Sequence, residues 1–336
     1  MLQTVKGKLN YLIEDNSTQL YRNLAQDFGW LFCAKRFVLK NLTAATGYQL
    51  NLYKPFMKKE LKKHLGHVAQ AYVTRANQPE KHHGKIPVFV IWLQGLESAP
   101  DLVRMCLNNQ KAVLSSERYD HHLVTLENLK DYLTIPAFIF QQLESGRLSY
   151  TNFADIVRIG LLKEYGGLYL DATIFLKEDF DEAVFDYGLY SNKKTSYEHI
   201  NKRMIANGRW ASYFMIGQKN QLLFAFMWEA YLIYLERYHH FIDHFLIDYL
   251  IDLAYDTIPS VRQAIDAYPV NNLAVFDLIK NLNSTEVDKV AEFAPGTSVF
   301  KLSYKQQLLL EQGGKETLYA KLLNTYGVKP SIGDVR

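Results

Sequence analysis

A helix that runs into two glycines and comes out as a β-strand fixes the centre of this chain. Residues 149–165 keep helical spacing, Gly166 and Gly167 stop the helix with one of them in a left-handed backbone, and residues 168–176 (LYLDATIFL) read as a strand. Asn152 is the expected N-cap, with Asp155 in the first turn where a carboxylate suits the helix dipole. Upstream, residues 86–93 (IPVFVIWL), closed by Gly95, have the β-branched and aromatic content of a buried strand. Pro100 and Asp101 open a helix to about Gln110, and residues 122–126 form a second short strand. Such alternation predicts an α/β fold with a largely parallel sheet and crossover helices.

Helices surround this frame. Apolar residues recur at helical spacing within residues 16–75, and 76–85, with Pro79, His82, His83 and Gly84, read as a linker. Residues 222–238 and 241–254 are again helical, and 299–326 read as a strand followed by helices. The chain thus divides into a helical N-terminal extension, residues 1–80, and an α/β domain, residues 85–336.

Asp155 and Arg158 lie three apart on one helix and share a face, and Asp171 follows on the next strand. In open α/β sheets ligands bind beyond the carboxyl ends of the strands, so this geometry can bring two carboxylates and a guanidinium to one rim. A sugar diphosphate needs such a set: a cation for phosphate, acceptors for hydroxyls, and a metal to neutralise the departing diphosphate.

Residues 154–173 (ADIVRIGLLKEYGGLYLDAT) resemble the capsular-polysaccharide-synthesis glycosyltransferases, a group similar to the retaining GT-A-type mannosyltransferases and the large clostridial glucosylating toxins. The shared pattern is an acidic residue, Arg three later, Gly-Gly, and a strand ending in Asp-x-Asp. The likeness extends to residues 85–95 (KIPVFVIWLQG) and 210–215 (WASYFM), and covers about residues 85–255. It implies a GT-A-like, Rossmann-type mixed sheet flanked by helices, and transfer of a sugar from a nucleotide donor to a glycan or lipid-linked acceptor with retention. By the same resemblance Trp92 stacks on the nucleobase, with Gln94 and Gly95 lining its pocket. Asp155 accepts from sugar hydroxyls, Arg158 reaches the sugar or diphosphate, and Asp171 contacts ribose or sugar and a divalent ion, Mn²⁺ or Mg²⁺. Core packing is the plainer reading of Trp92, and an ordinary ion pair that of Asp155 with Arg158. The sequence departs from the pattern in one place: Asp-x-Asp is Asp171-Ala172-Thr173. The second carboxylate is missing, Thr173 is a weaker substitute, and Asp243 or Asp248 are further candidate ligands. The toxins favour a UDP-sugar and the mannosyltransferases a GDP-sugar, and both stay open, as does the donor sugar, for which residues 192–210 could supply contacts.

Composition bears on location and on rivals. Cys33 and Cys106 are the only cysteines, too few for a disulfide framework or a Cys-rich zinc site. Residues 1–15 have no continuous apolar run of a signal peptide, and no stretch reaches the roughly 20 apolar residues of a membrane span, so the cytoplasm is the expected location. Residues 1–85 hold 14 Lys and Arg against 5 Asp and Glu, a balance of +9, densest at Lys54, Lys58, Lys59, Lys62 and Lys63. That segment could rest on the anionic inner face of the membrane. No nucleic-acid motif accompanies the charge. The absence of P-loop, dinucleotide and nucleophile-elbow motifs disfavours phosphoryl-transfer, NAD and serine-hydrolase chemistry. Two rivals remain: an inactive sugar-binding relative, which the missing Asp keeps alive, and a zinc peptidase, because His240-Phe241-Ile242-Asp243-His244 approaches an inverted zincin motif, with His240 and His244 four apart on a helix.

Overall fold

The computed structural model describes residues 18–46, 51–81, 83–193, 204–287, 290 and 297–330. Residues 1–15, where no signal peptide is expected, fall outside them, as do His82 and residues 194–203 of the candidate selectivity segment. The helical run of the front breaks into α1 (Thr18–Phe28), α2 (Trp30–Ala45) and α3 (Tyr53–Ala71). Gly29, at φ 80°, makes the first break.

β1 (Ile86–Ile91) follows, almost wholly buried as its apolar run requires. Then come α4 (Asp101–Val113), β2 (Tyr119–Val124), α5 (Ala137–Glu144), α6 (Tyr150–Glu164) and β3 (Gly167–Asp171). The strand expected over 168–176 is two strands in two sheets. The chain turns at Ala172-Thr173, and β4 (Ile174–Leu176) pairs antiparallel with the late strand β7 (Val299–Lys301). The main sheet is completed by β5 (Leu189–Ser191) and β6 (Phe214–Gly217). Its order is β2-β1-β3-β6-β5. β1 is parallel to β2 and β3, while β6 is antiparallel to β3 and β5. The sheet is therefore mixed, not largely parallel. From β1 the chain crosses to β2 on one side, and from β3 it leaves to the other, so β1 and β3 flank a topological switch point.

α7 (Leu222–Arg237), α8 (Leu246–Thr257) and α9 (Pro259–Ala267) follow β6, then α10 (Asp277–Asn281), the short hairpin strands β8 (Glu311–Gln312) and β9 (Lys315–Glu316), and α11 (Leu318–Thr325). α3 packs on α7 and α8, and α6 packs on α7 and under β1 and β3. One apolar core runs from Leu24, Met57 and Leu61 through Val88, Ile159 and Leu170 to Tyr234 and Ile251. A second cluster of Met105, Cys106, Phe175, Phe300 and Leu318 lies under the β4–β7 ribbon. Both cysteines are free and buried. Among the described residues no helix is long and apolar enough to cross a membrane.

Candidate functional site

α6 is buried along most of its length, from Asn152 to Leu162. Its N-cap is Ser149, whose hydroxyl accepts from the Asn152 amide at 3.1 Å, so the expected cap Asn152 lies inside the first turn and donates instead to the His244 carbonyl. Gly166 and Gly167 both have positive φ, 68° and 92°. A Cβ on Gly167 would stand 2.2 Å from the Pro87 carbonyl oxygen and one on Gly166 2.4 Å from the Lys219 amide. Glycine here lets the chain leave α6 and enter β3 directly against β1.

That turn sets Asp171 beside Arg158. The guanidinium reaches Asp155 at 2.9 Å and Asp171 at 3.5 Å, donates to the Ser212 carbonyl at 2.6 Å, and lies over the Tyr169 ring at 4.5 Å. Asp171 accepts from the Tyr169 hydroxyl at 2.9 Å. Asp155 and Arg158 are buried, whereas the Asp171 side chain keeps 24% of its surface open. The three predicted residues thus form one connected group at the carboxyl end of β3.

The two carboxyls behave differently. Burial pushes Asp155 up to about 7, and the nearby Asp248 and Asp171 charges outweigh part of what Arg158 returns. Arg158 divides its charge between two carboxylates, so it does not hold Asp155 down. At Asp171 burial also pushes upward, but Lys301 and Arg158 together hold the carboxyl below its usual range.

Lys301, which the sequence did not single out, completes the group. It stands opposite Ile174 in the β4–β7 ribbon, and its ammonium donates to Asp171 at 2.5 Å and to the Thr173 hydroxyl at 2.7 Å. Gln110 of α4 fixes the same corner by donating to the Ile174 carbonyl at 2.8 Å.

Trp92 leaves β1 one residue after Ile91, which is in register with Asp171, so it stands at the same end of the sheet. It is half-buried, edge-on to Tyr304 with centroids 5.7 Å apart, and donates to Ser98 at 3.4 Å. Gln94 is exposed, and Gly95, at φ 83°, opens a short helical turn. Their carbonyls accept from the Ser98 hydroxyl, within the loop. This loop shares a rim with the charged group and is not bonded to it.

The remaining candidates lie elsewhere. Asp243 is turned toward the front helices, accepting from the Tyr53 hydroxyl at 2.6 Å. Asp248 accepts from the Trp210 indole at 3.1 Å and faces the Asp155 side of the group. Among the described residues no three His, Cys, Asp or Glu gather as a metal site. At Asp171 both carboxylate oxygens, and the Thr173 hydroxyl with them, already hold protein donors. The Lys301 ammonium already stands where a divalent cation would bind these two oxygens, so the pair as placed does not fit a Mn²⁺ or Mg²⁺ site. His240 and His244 fall in the turn between α7 and α8, not on a helix, and His240 pairs with Asp27 at 3.0 Å. The peptidase geometry therefore does not form. The lysine-rich stretch is partly drawn inward, Lys54 bonding Asn207 and Lys58 pairing with Asp252 and Asp256, while Lys63 pairs with Glu60 at the surface.

A family profile described as capsular polysaccharide synthesis protein matches residues 41–322. The chain belongs to that family. The capsular polysaccharide synthesis match begins within α2, spans α6, β3 and the Asp171 corner, and includes Lys301. The family description ties the chain to building surface polysaccharide. No curated protein and no solved structure matches the chain.

Proposed function

We propose that this protein is a glycosyltransferase that moves a sugar from a nucleotide diphosphate, a UDP- or GDP-sugar, to a hydroxyl of a glycan or lipid-linked acceptor, with retention. The observation that carries this reading is Arg158 held between Asp155 and Asp171 at the switch point of the sheet, at the end where Trp92 stands. The anomeric carbon exchanges its bond to the β-phosphate oxygen for one to the acceptor oxygen, and the acceptor proton leaves on the departing diphosphate. Positioning and fixed charge carry most of such a reaction. Asp155 accepts from donor-sugar hydroxyls, Arg158 faces the sugar–phosphate linkage, and Trp92 offers a ring to the base.

The test is a thermal-shift panel of nucleotide sugars on wild type and Asp171→Asn. A ligand present at 100 times its Kd stabilises the fold by about 2.7 kcal/mol. One UDP- or GDP-sugar should raise the melting temperature of the wild type and do little for the variant. A panel in which no donor shifts the wild type would count against the assignment, and a donor that binds without ever being turned over would favour an inactive sugar-binding protein.

A further inference from the structure

We propose that the Lys301 ammonium, seated on Asp171 and Thr173, is the cation that meets the donor's diphosphate, doing the work a divalent ion does at a two-carboxylate site. The inference rests on the nucleotide-sugar reading above and adds to it how charge is supplied. Three observations carry it. The first is place: Lys301 is delivered by the β4–β7 ribbon to the end of β3, opposite Ile174, so its backbone is fixed by strand pairing and not by a loop. Its own amide donates to Val275 and the next amide, Leu302, donates to Thr173. The second is saturation: the ammonium takes up Asp171 and Thr173, the two residues of the Asp-Ala-Thr motif that have oxygens to offer a metal. The third is what is left over. An ammonium has three donors, the described residues use two of them, and 22% of the side chain is open.

The local charge agrees. Arg158 and Lys301 are two cations around a firmly ionised Asp171, and Asp155 is the carboxyl that burial leaves readiest to hold a proton. Asp248 adds a third carboxyl on the Asp155 side, and the cation left open to an anion is Lys301, the Arg158 side chain being buried. A second carboxylate in place of Thr173 would reverse that balance and call for a metal. With Thr173 and Lys301 the positive charge is built into the chain, and it stands where negative charge grows on the leaving oxygen.

The experiment measures binding by calorimetry of UDP, GDP, uridine and guanosine to wild type, Lys301→Met and Lys301→Arg, each in EDTA and again with Mn²⁺, with melting curves for every variant. The wild type should bind one of the diphosphates in EDTA. Lys301→Met should weaken that binding roughly 10- to 100-fold, the worth of one charge-assisted hydrogen bond, while leaving the matching nucleoside unchanged. Lys301→Arg should recover part of the loss. Wild-type binding that appears only with Mn²⁺ overturns the inference without any variant and leaves the glycosyltransferase reading standing. So does a folded Lys301→Met that binds diphosphate as well as wild type does, because Lys301 is then only a structural partner of Asp171. Failure of wild type to bind any nucleotide in either buffer removes the parent reading and this one with it.

Discussion

Asp155 illustrates how burial and pairing compete at one side chain. It has an ion-pair partner at 2.9 Å and still binds its proton far more tightly than a free carboxyl. The folded chain keeps that proton over a range in which the unfolded chain has lost it. The stability this confers is complete below the ordinary carboxyl value of 3.8 and is lost as pH rises toward about 7. Asp248, pushed up to about 6 by burial, acts in the same direction. Asp171, held low, contributes stability that is present above 3.8 and lost as pH falls below it, outside this window. His64, His121 and His244, which burial holds below the usual range, act the opposite way over the same window, so the test is a difference: between pH 4.5 and 7.5 the melting temperature of wild type should fall relative to that of Asp155→Asn. A parallel pair of curves would show that Asp155 does not titrate in that window. Asp155, Arg158 and Asp171 were legible because three-residue spacing on a helix and a turn into a strand are local facts. Tyr169 was legible in principle, since residues two apart on a strand share a face. Lys301 was not, because nothing local ties it to a carboxylate 130 residues earlier.

The elements were readable where one period governed them and misread where it changed. Residues 168–176 are apolar on both sides of Thr173, so periodicity cannot show that the strand passes from one sheet to another there. Beyond α7 the apolar spacing suggested a second helix from residue 241. Instead the buried Tyr234 hydroxyl accepts from the Ile242 amide and donates to the His240 carbonyl, pinning a turn. The diglycine, by contrast, was read correctly as a stop and makes a sharp prediction. Gly167→Ala adds a Cβ within 2.2 Å of the Pro87 carbonyl on top of a left-handed backbone, whereas Gly95→Ala meets nothing within 4 Å. Gly95→Ala, at φ 83° and ψ 157°, should cost only the conformational strain, about 1–3 kcal/mol. Gly167→Ala should cost clearly more, because β3 must shift away from β1. Equal losses in denaturant titrations would mean that this close approach is not what the glycine serves.

Across the whole molecule the front helices and the sheet share a core. Met57, Leu61, Leu65 and Val68 of α3 are buried where that helix packs on α7 and α8, and Arg36 and Tyr53 interact with Asp243 behind them. Met57→Ala should lower stability by about 2–5 kcal/mol, the usual cost of emptying a buried site. It should do so in a single transition followed equally by far-UV and near-UV signals. A separate early transition confined to helix content would show that the front melts alone. The β4–β7 ribbon has a consequence in time. A ribosome that has finished β3 has already produced Asp155, Arg158 and Asp171, but the lysine that joins them emerges 130 residues after Asp171. Until β7 is made, Asp171 has no ammonium partner, so this corner of the fold closes only near the end of synthesis.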